Sequence, residues 1–187
     1  LETLTVSYPD SVLFWRRLGY ARNNGNRYEP AIAAYERALA LEPGSEENVR
    51  SLVSALLNRG AELQGEKRFE EARGLYLRVL SLYPREWRAF NNLAVIEMRL
   101  GRYREAYDIL EKALVLHPYE SSLNFNMGIV LEKLGRYREA LDHMRMARDT
   151  NPVYSEAPLH IERLERKLGL PSSAAQVDSQ RSPLKMP

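Results

Sequence analysis

Cysteine is missing from all 187 residues, which excludes disulfide frameworks, thiolate catalysis and cysteine-ligated zinc or iron–sulfur sites together. Long apolar runs are missing too. Arg, Lys, Asp or Glu interrupts every apolar segment before the roughly 18 residues that a membrane-spanning helix needs, so no membrane insertion is expected. Charge of one sign is not in excess: 27 Lys+Arg against 25 Asp+Glu leave +2, too little to imply polyanion binding, and no nucleic-acid partner is expected. Phosphate-binding loops, HExxH, GxSxG and calcium-loop patterns do not occur. His117, His143 and His160 share no motif and read as surface histidines, while Glu46/Glu47 and Glu70/Glu71 sit at helix starts, where the macrodipole favours them. No catalytic residue, metal site or cofactor follows, and an enzyme is not expected.

What is present is a repeat. Pro9, Pro43, Pro84, Pro118 and Pro152 are separated by 34, 41, 34 and 34 residues, and Leu-Gly-Arg-Tyr-Arg-Glu-Ala occurs unchanged at 100–106 and 134–140. A period of this length asks for stacked supersecondary units. Each unit reads as two helices with a Gly-containing turn between them and a proline after the second, as in 86–99 followed by 103–116 with Gly101 between and Pro118 as the stop. In that second helix Ala106, Ile109, Leu110, Ala113, Leu114 and Leu116 fall largely on one face, which a neighbour must cover.

These positions resemble the tetratricopeptide repeat: an aromatic, Leu-Gly, a small Ala, a large residue and a closing Pro over 34 residues. Residues 10–43 carry Trp15, Leu18, Gly19, Ala31, Tyr35, Ala38 and Pro43, with Arg22 where an aromatic is usual. Residues 44–84 fit less well, through Leu56, Gly60, Leu63, Phe69, Ala72, Tyr76, Val79 and Pro84. Residues 85–118 carry Phe90, Leu93, Gly101, Tyr103, Ala106, Leu110, Ala113 and Pro118, with Ala94 for the usual glycine. Residues 119–152 carry Asn124, Met127, Gly128, Leu131, Gly135, Tyr137, Ala140, Met144, Ala147 and Pro152. The resemblance implies an all-α, right-handed α-α superhelix of helix-turn-helix repeats. Gly19, Gly60 and Gly128 are then structural, since helices pair closely where one offers Gly or Ala and the other a bulky side chain. The additional seven residues before the second closing pair most simply lengthen the first helix of residues 44–84 by about two turns; a longer loop around 60–67 is the alternative. Ser45, Glu46 and Glu47 supply the start of that helix.

Residues 1–9 match the end of a preceding repeat, Leu1, Leu4 and Pro9 standing 34 before Tyr35, Ala38 and Pro43, and the absence of an initiating Met implies a longer protein. Residues 153–170 are expected to form a capping helix, with Leu159, Ile161, Leu164 and Leu168 covering the last unit and Glu162, Arg163, Glu165, Arg166 and Lys167 facing water. Residues 171–187 are rich in Ser, Pro, Gln and Ala and are expected to be disordered.

In the family that these residues resemble, first helices line the concave surface. Asn58, Asn92 and Asn126, in register, would then stack into a ladder there. Side-chain amides match the C=O and N–H of an extended backbone, and the ladder is similar to the asparagine rows in the repeat arm of O-linked N-acetylglucosamine transferase; amides bonded to their own scaffold are the alternative. Of chaperone-binding carboxylate clamps only the central Asn is matched, with Arg16 and Tyr20, then Asn58, then Arg88 and Asn92 at corresponding places. Arg16, Arg17, Arg88 and Arg99 outnumber Glu132, the main acidic counterweight, which points to an acidic or carboxylate-bearing guest. Tyr20, Asn91 and Phe125 would add contacts, Phe125 as aromatic anchor unless it packs against the adjacent helix. The candidate peptide-binding residues are thus Arg16, Tyr20, Asn58, Arg88, Asn91, Asn92, Phe125 and Asn126. The expected function is a non-catalytic scaffold for a protein or peptide partner, with homo-oligomer formation left open; the alternative is the substrate-recruiting arm of a larger enzyme such as a glycosyltransferase. Residues 72–76 resemble half-a-TPR repeats of RNA-processing proteins, but the Leu-Gly and closing-proline pattern argues against RNA.

Overall fold

The computed structural model describes residues 2–152 and 156–172. The described regular structure is helical: α1 (Glu2–Ser7), α2 (Val12–Asn24), α3 (Tyr28–Leu41), α4 (Glu46–Gly65), α5 (Phe69–Leu82), α6 (Trp87–Arg99), α7 (Tyr103–Leu116), α8 (Ser121–Lys133), α9 (Tyr137–Thr150) and α10 (Ala157–Leu168). From residue 173 on, the tail expected to lack structure lies outside the described residues. The helices form two compact units that divide within α6, after Ile96. In the first, α2 packs on α3, α3 on α4 and α4 on α5; in the second, α7 packs on α8, α8 on α9 and α9 on α10.

The closing prolines end the second helices through the residue before them. Proline Cδ crowds the preceding backbone and drives it out of the α region. Glu42, Tyr83, His117 and Asn151 accordingly take φ of −139°, −139°, −139° and −142°. Between first and second helix the chain turns through one left-handed residue, Asn26, Lys67, Gly101 or Gly135, at φ of 56°, 62°, 75° and 78°, and Gly169 after α10 has φ of 66°. The additional residues of 44–84 lie in α4, which has 20 residues against 13 in α2. Ser45 starts it, its hydroxyl accepting from Asn48 N at 3.4 Å.

Helix pairing rests on missing side chains. A Cβ on Gly60 would stand 2.5 Å from Tyr76 Cε1, and one on Gly19 2.7 Å from the Tyr35 ring. In the second unit a Cβ on Gly128 would meet Met144 Cε at 2.8 Å. Each bulky partner is buried, so each ring or thioether fills the space that the glycine leaves.

The ends differ from the interior of the array. Ala38, Val79, Ala113 and Ala147 are 0% exposed, whereas Leu4, in the same register, is 39% exposed on α1. At the other end α10 has the phase of a first helix, including the left-handed Gly169, but Glu162 stands ten residues after Pro152, where Gly128 follows Pro118. A carboxylate at that place does not admit the close approach of a second helix that glycine allows. Ile161 and Leu164 are buried as expected. Two expectations for this helix are corrected. Leu159 covers nothing and is 70% exposed, because it lies off the stripe of Ala157, Ile161 and Leu164 that meets the preceding helices. Glu165 does not face water: it is 1% exposed and accepts a hydrogen bond from Arg145 Nη2 of α9 at 2.9 Å.

Glu132 of α8 also binds the cap. Arg163 Nη2 lies 2.5 Å from its carboxylate, and His160 Nδ1 and Lys167 Nζ each 3.5 Å away. Burial alone would raise this carboxyl, but Arg163, with His160 and Lys167, holds it below its ordinary value. A carboxyl depressed on folding contributes stability above its unfolded pKa and loses it as pH falls through the folded one. Acid titration is therefore expected to loosen α10 below about pH 4.5, read by hydrogen exchange of its amides, and Glu132→Gln to flatten that dependence. Gly60→Ala is expected to lower unfolding free energy by about 1–3 kcal/mol in urea melts. Gly128→Ala should cost less, because the unbranched Met144 side chain can yield.

Candidate peptide-binding face

In the first unit α2 and α4 are in contact and carry Arg16, Tyr20 and Asn58, while the start of α6 carries Arg88, Asn91 and Asn92. Tyr20 is 63% exposed on α2. Asn58, two residues before Gly60, is exposed on α4 and donates from Nδ2 to Asn23 Oδ1 of α2 at 3.1 Å. An amide pair thus bridges two first helices. After this bond Asn58 retains one N–H and its Oδ1, and Asn23 both of its N–H groups.

Asn92 serves the scaffold at least in part. The Tyr76 ring that fills the gap at Gly60 leaves a hydroxyl to satisfy, and it donates to Gln64 Oε1 at 3.2 Å. Burial pushes this phenol up to about 12, against a hydrogen bond from the Asn92 side chain that lowers it. Tyr35, the equivalent ring, is likewise raised by burial and by the nearby Tyr20.

The guanidinium groups of Arg16 and Arg88 are occupied. Arg16 Nη1 lies 2.6 Å from Glu47 Oε2. Arg88 donates from Nε and Nη2 to the two oxygens of the buried Glu86 at 2.8 and 3.0 Å, and this bond holds its pKa above the ordinary value. Arg59, beside Asn58, reaches Glu29 at 2.5 Å and also pairs with Glu62. Arg17 has no hydrogen bond or ion pair among the described residues. The face is therefore close to electrically balanced, and a carboxylate reaches Arg16 or Arg88 only by exchange with a resident one.

Asn126 and Phe125 belong to the second unit. Asn126 is half-buried on α8. Phe125, read as an aromatic anchor, is corrected: it is 4% exposed, and its ring meets His160 of α10 edge-on at a centroid distance of 5.4 Å. Glu132, read as an acidic counterweight, is taken up by the same helix.

Sequence reasoning missed Asn23, Arg59 and Glu86, and read Glu47 only as part of a helix start. Asn23 follows Gly19 by four residues while Asn58 precedes Gly60 by two, so no common period marks them as partners. Glu47 is 31 residues from Arg16, and only the stacking of α4 on α2 brings them together. Among the described residues no cluster of three or more His, Asp or Glu could hold a metal ion, and no helix is long and apolar enough to cross a membrane.

Comparison with known proteins agrees with this register. Two family models, both described as tetratricopeptide repeat, match residues 88–151 and 1–46, together more than half of the chain. A peroxisomal targeting signal receptor of Saccharomyces cerevisiae is 41% identical over 75 residues, 40% of this chain and 11% of the receptor; the chain thus spans about a tenth of that relative's length. Among solved structures, YrrB, a TPR protein with an unusual peptide-binding site, is 17% identical with a TM-score of 0.65, over 96% of this chain and 89% of its own. The first TPR of Spaghetti (RPAP3), bound to the HSP90 peptide SRMEEVD, is 18% identical with a TM-score of 0.59, over 63% of this chain and 93% of its own. With the left-handed turns, the closing prolines and the Gly-against-ring pairs at their proper spacing, the chain belongs to the tetratricopeptide repeat family.

Proposed function

We propose that the chain is a protein–protein interaction scaffold whose first unit holds an extended segment of a partner along α2, α4 and the start of α6. The observation that carries this reading is the Asn23–Asn58 amide pair. It is exposed, bridges two first helices, and offers unspent donors and an unspent acceptor that match a peptide's C=O and N–H without demanding one sequence. Tyr20 beside it supplies an exposed ring against which a side chain of the segment can pack. The peptide-binding site named for YrrB and the peptide named for the first TPR of Spaghetti are in keeping with such a role.

An acidic or carboxylate-bearing segment remains the favoured guest, and the resident carboxylates qualify how it gains. Glu47 and Glu86 hold the guanidinium groups of Arg16 and Arg88 in place, and a guest carboxylate takes over a group that is already positioned. Because one ion pair replaces another, its net contribution is small, about that of a surface pair or roughly 0.2–1 kcal/mol.

The test uses the 187-residue protein and a displayed library of random peptides with free C-termini. Selected peptides are expected to bind the Asn23→Ala/Asn58→Ala variant about 10- to 100-fold more weakly, with a melting temperature within a few degrees of the parent. A library that yields no binders, or peptides that bind the variant equally well, would contradict the proposal. Asn92→Ala, by contrast, is expected to cost about 0.5–1.5 kcal/mol of stability through the Tyr76 hydroxyl. Glu47→Gln is expected to raise affinity for acidic library peptides about two- to five-fold and to leave their amidated, neutral counterparts unchanged.

A further inference from the structure

The second unit carries a small pocket on the side of its second helices. Leu114 of α7, Pro118 of the following turn, Asn124 of α8, and Asp142, His143 and Met146 of α9 line a cavity of about 230 Å³. Its two inner polar residues break the repeat pattern. Four residues before Gly19, Gly60, Ala94 and Gly128 stand Trp15, Leu56, Phe90 and Asn124; three after Ala31, Ala72, Ala106 and Ala140 stand Ala34, Leu75, Ile109 and His143. Only the repeat of residues 119–152 is polar at both places, and there the two side chains meet.

Their hydrogen bonds determine the state of the imidazole. Asn124 Nδ2 donates to the backbone oxygens of Pro118 and Glu120 at 2.9 and 3.1 Å. Both partners are acceptors, so the amide orientation is fixed and Oδ1 is the atom 2.9 Å from His143 Nδ1. Oδ1 can only accept, and Nδ1 therefore carries the proton. Burial lowers the His143 pKa, with Arg136 acting in the same direction and Asp142 and Glu139 opposing. The ring is neutral at pH 7, and its Nε2 is an acceptor with no protein partner among the described residues. Asp142 is exposed and likewise has no hydrogen bond or ion pair among the described residues. The remaining wall is apolar: Leu114, Pro118 and the exposed Met146.

We propose that this pocket seats a lysine side chain of a partner protein, its ammonium between Asp142 and Nε2 of His143 and its methylene stem along Leu114, Pro118 and Met146. The polar groups at hand are acceptors, and one is anionic, so the guest must donate and be cationic. A compact ammonium with three rotatable donors suits two separate acceptors better than a planar fork does. The volume lies below the roughly 300–1,000 Å³ of pockets for drug-sized ligands, which fits one side chain rather than a cofactor. The site lies in a different unit from the proposed peptide face, so either can fail without the other.

The test is an NMR titration of the full chain at low ionic strength with Nα-acetyl-lysine methylamide, read at the His143 ring nitrogens and the Met146 methyl. A long-range nitrogen–proton spectrum is expected to show His143 protonated at Nδ1 before addition. A saturable shift at both probes is expected, weakened about five-fold or more by Asp142→Asn and abolished when the lysine Nε is acetylated. Asp142 is exposed and without a partner in the fold, so this variant folds, which its amide spectrum checks. The absence of a saturable shift, an equal shift in Asp142→Asn, an equal shift with the acetylated side chain, or protonation at Nε2 instead would each overturn the proposal. Response to n-butylamine but not to the lysine derivative would overturn it also, since a pocket for free amines is not one for a protein side chain.

Discussion

One steric fact organises the molecule: a second helix lies close to a first helix where the first carries Gly or Ala rather than a larger side chain. At Gly60 the missing Cβ leaves room for the Tyr76 ring, and at Gly19 for that of Tyr35. The ring fixes where along the helix the pair meets, and so which residues of the first helix remain outside the contact. Asn58, two residues before Gly60, is kept out of the packing by this register, and Gln64, four residues after it, is brought to the Tyr76 hydroxyl. Glu162 shows the same rule in reverse. The large, charged side chain of Glu162 stands at the glycine place of α10, where it does not admit such an approach.

The elements repeated in sequence were legible from spacing alone, because each has a local cause. Proline crowds the residue before it, Gly101 and Gly135 take left-handed turns, and Ser45 with two glutamates starts α4. What could not be read was set by contacts between residues about 30 apart. Phe125 has the residue type of an anchor, and only the placing of His160 over it shows that the cap already uses it. Arg16 and Arg88 have the charge for a carboxylate clamp, yet Glu47 and Glu86 already neutralise them. Glu165 falls among charged neighbours in sequence and is nevertheless buried against Arg145.

The two units therefore differ in what their first helices offer. In the first, Arg16 and Arg88 are paired within the protein, while Tyr20 and the Asn23–Asn58 pair remain exposed. In the second, Phe125 and Glu132 of α8 are taken up by α10. Amides suit the first setting, since their donors and acceptors work without net charge and pair with backbone of any sequence. Specificity in such a site comes from the side chains of the segment rather than from its main chain.

The side-chain amide protons of Asn23 and Asn58 report on this most directly. With nitrogen-15 label on asparagine side chains and a library-selected peptide at saturation, both Nδ2 signals should shift, while that of Asn124, held by two backbone carbonyls, should not. Shifts confined to asparagines outside the first unit, with Asn23 and Asn58 unmoved, would place the guest elsewhere and contradict a peptide held by these amides.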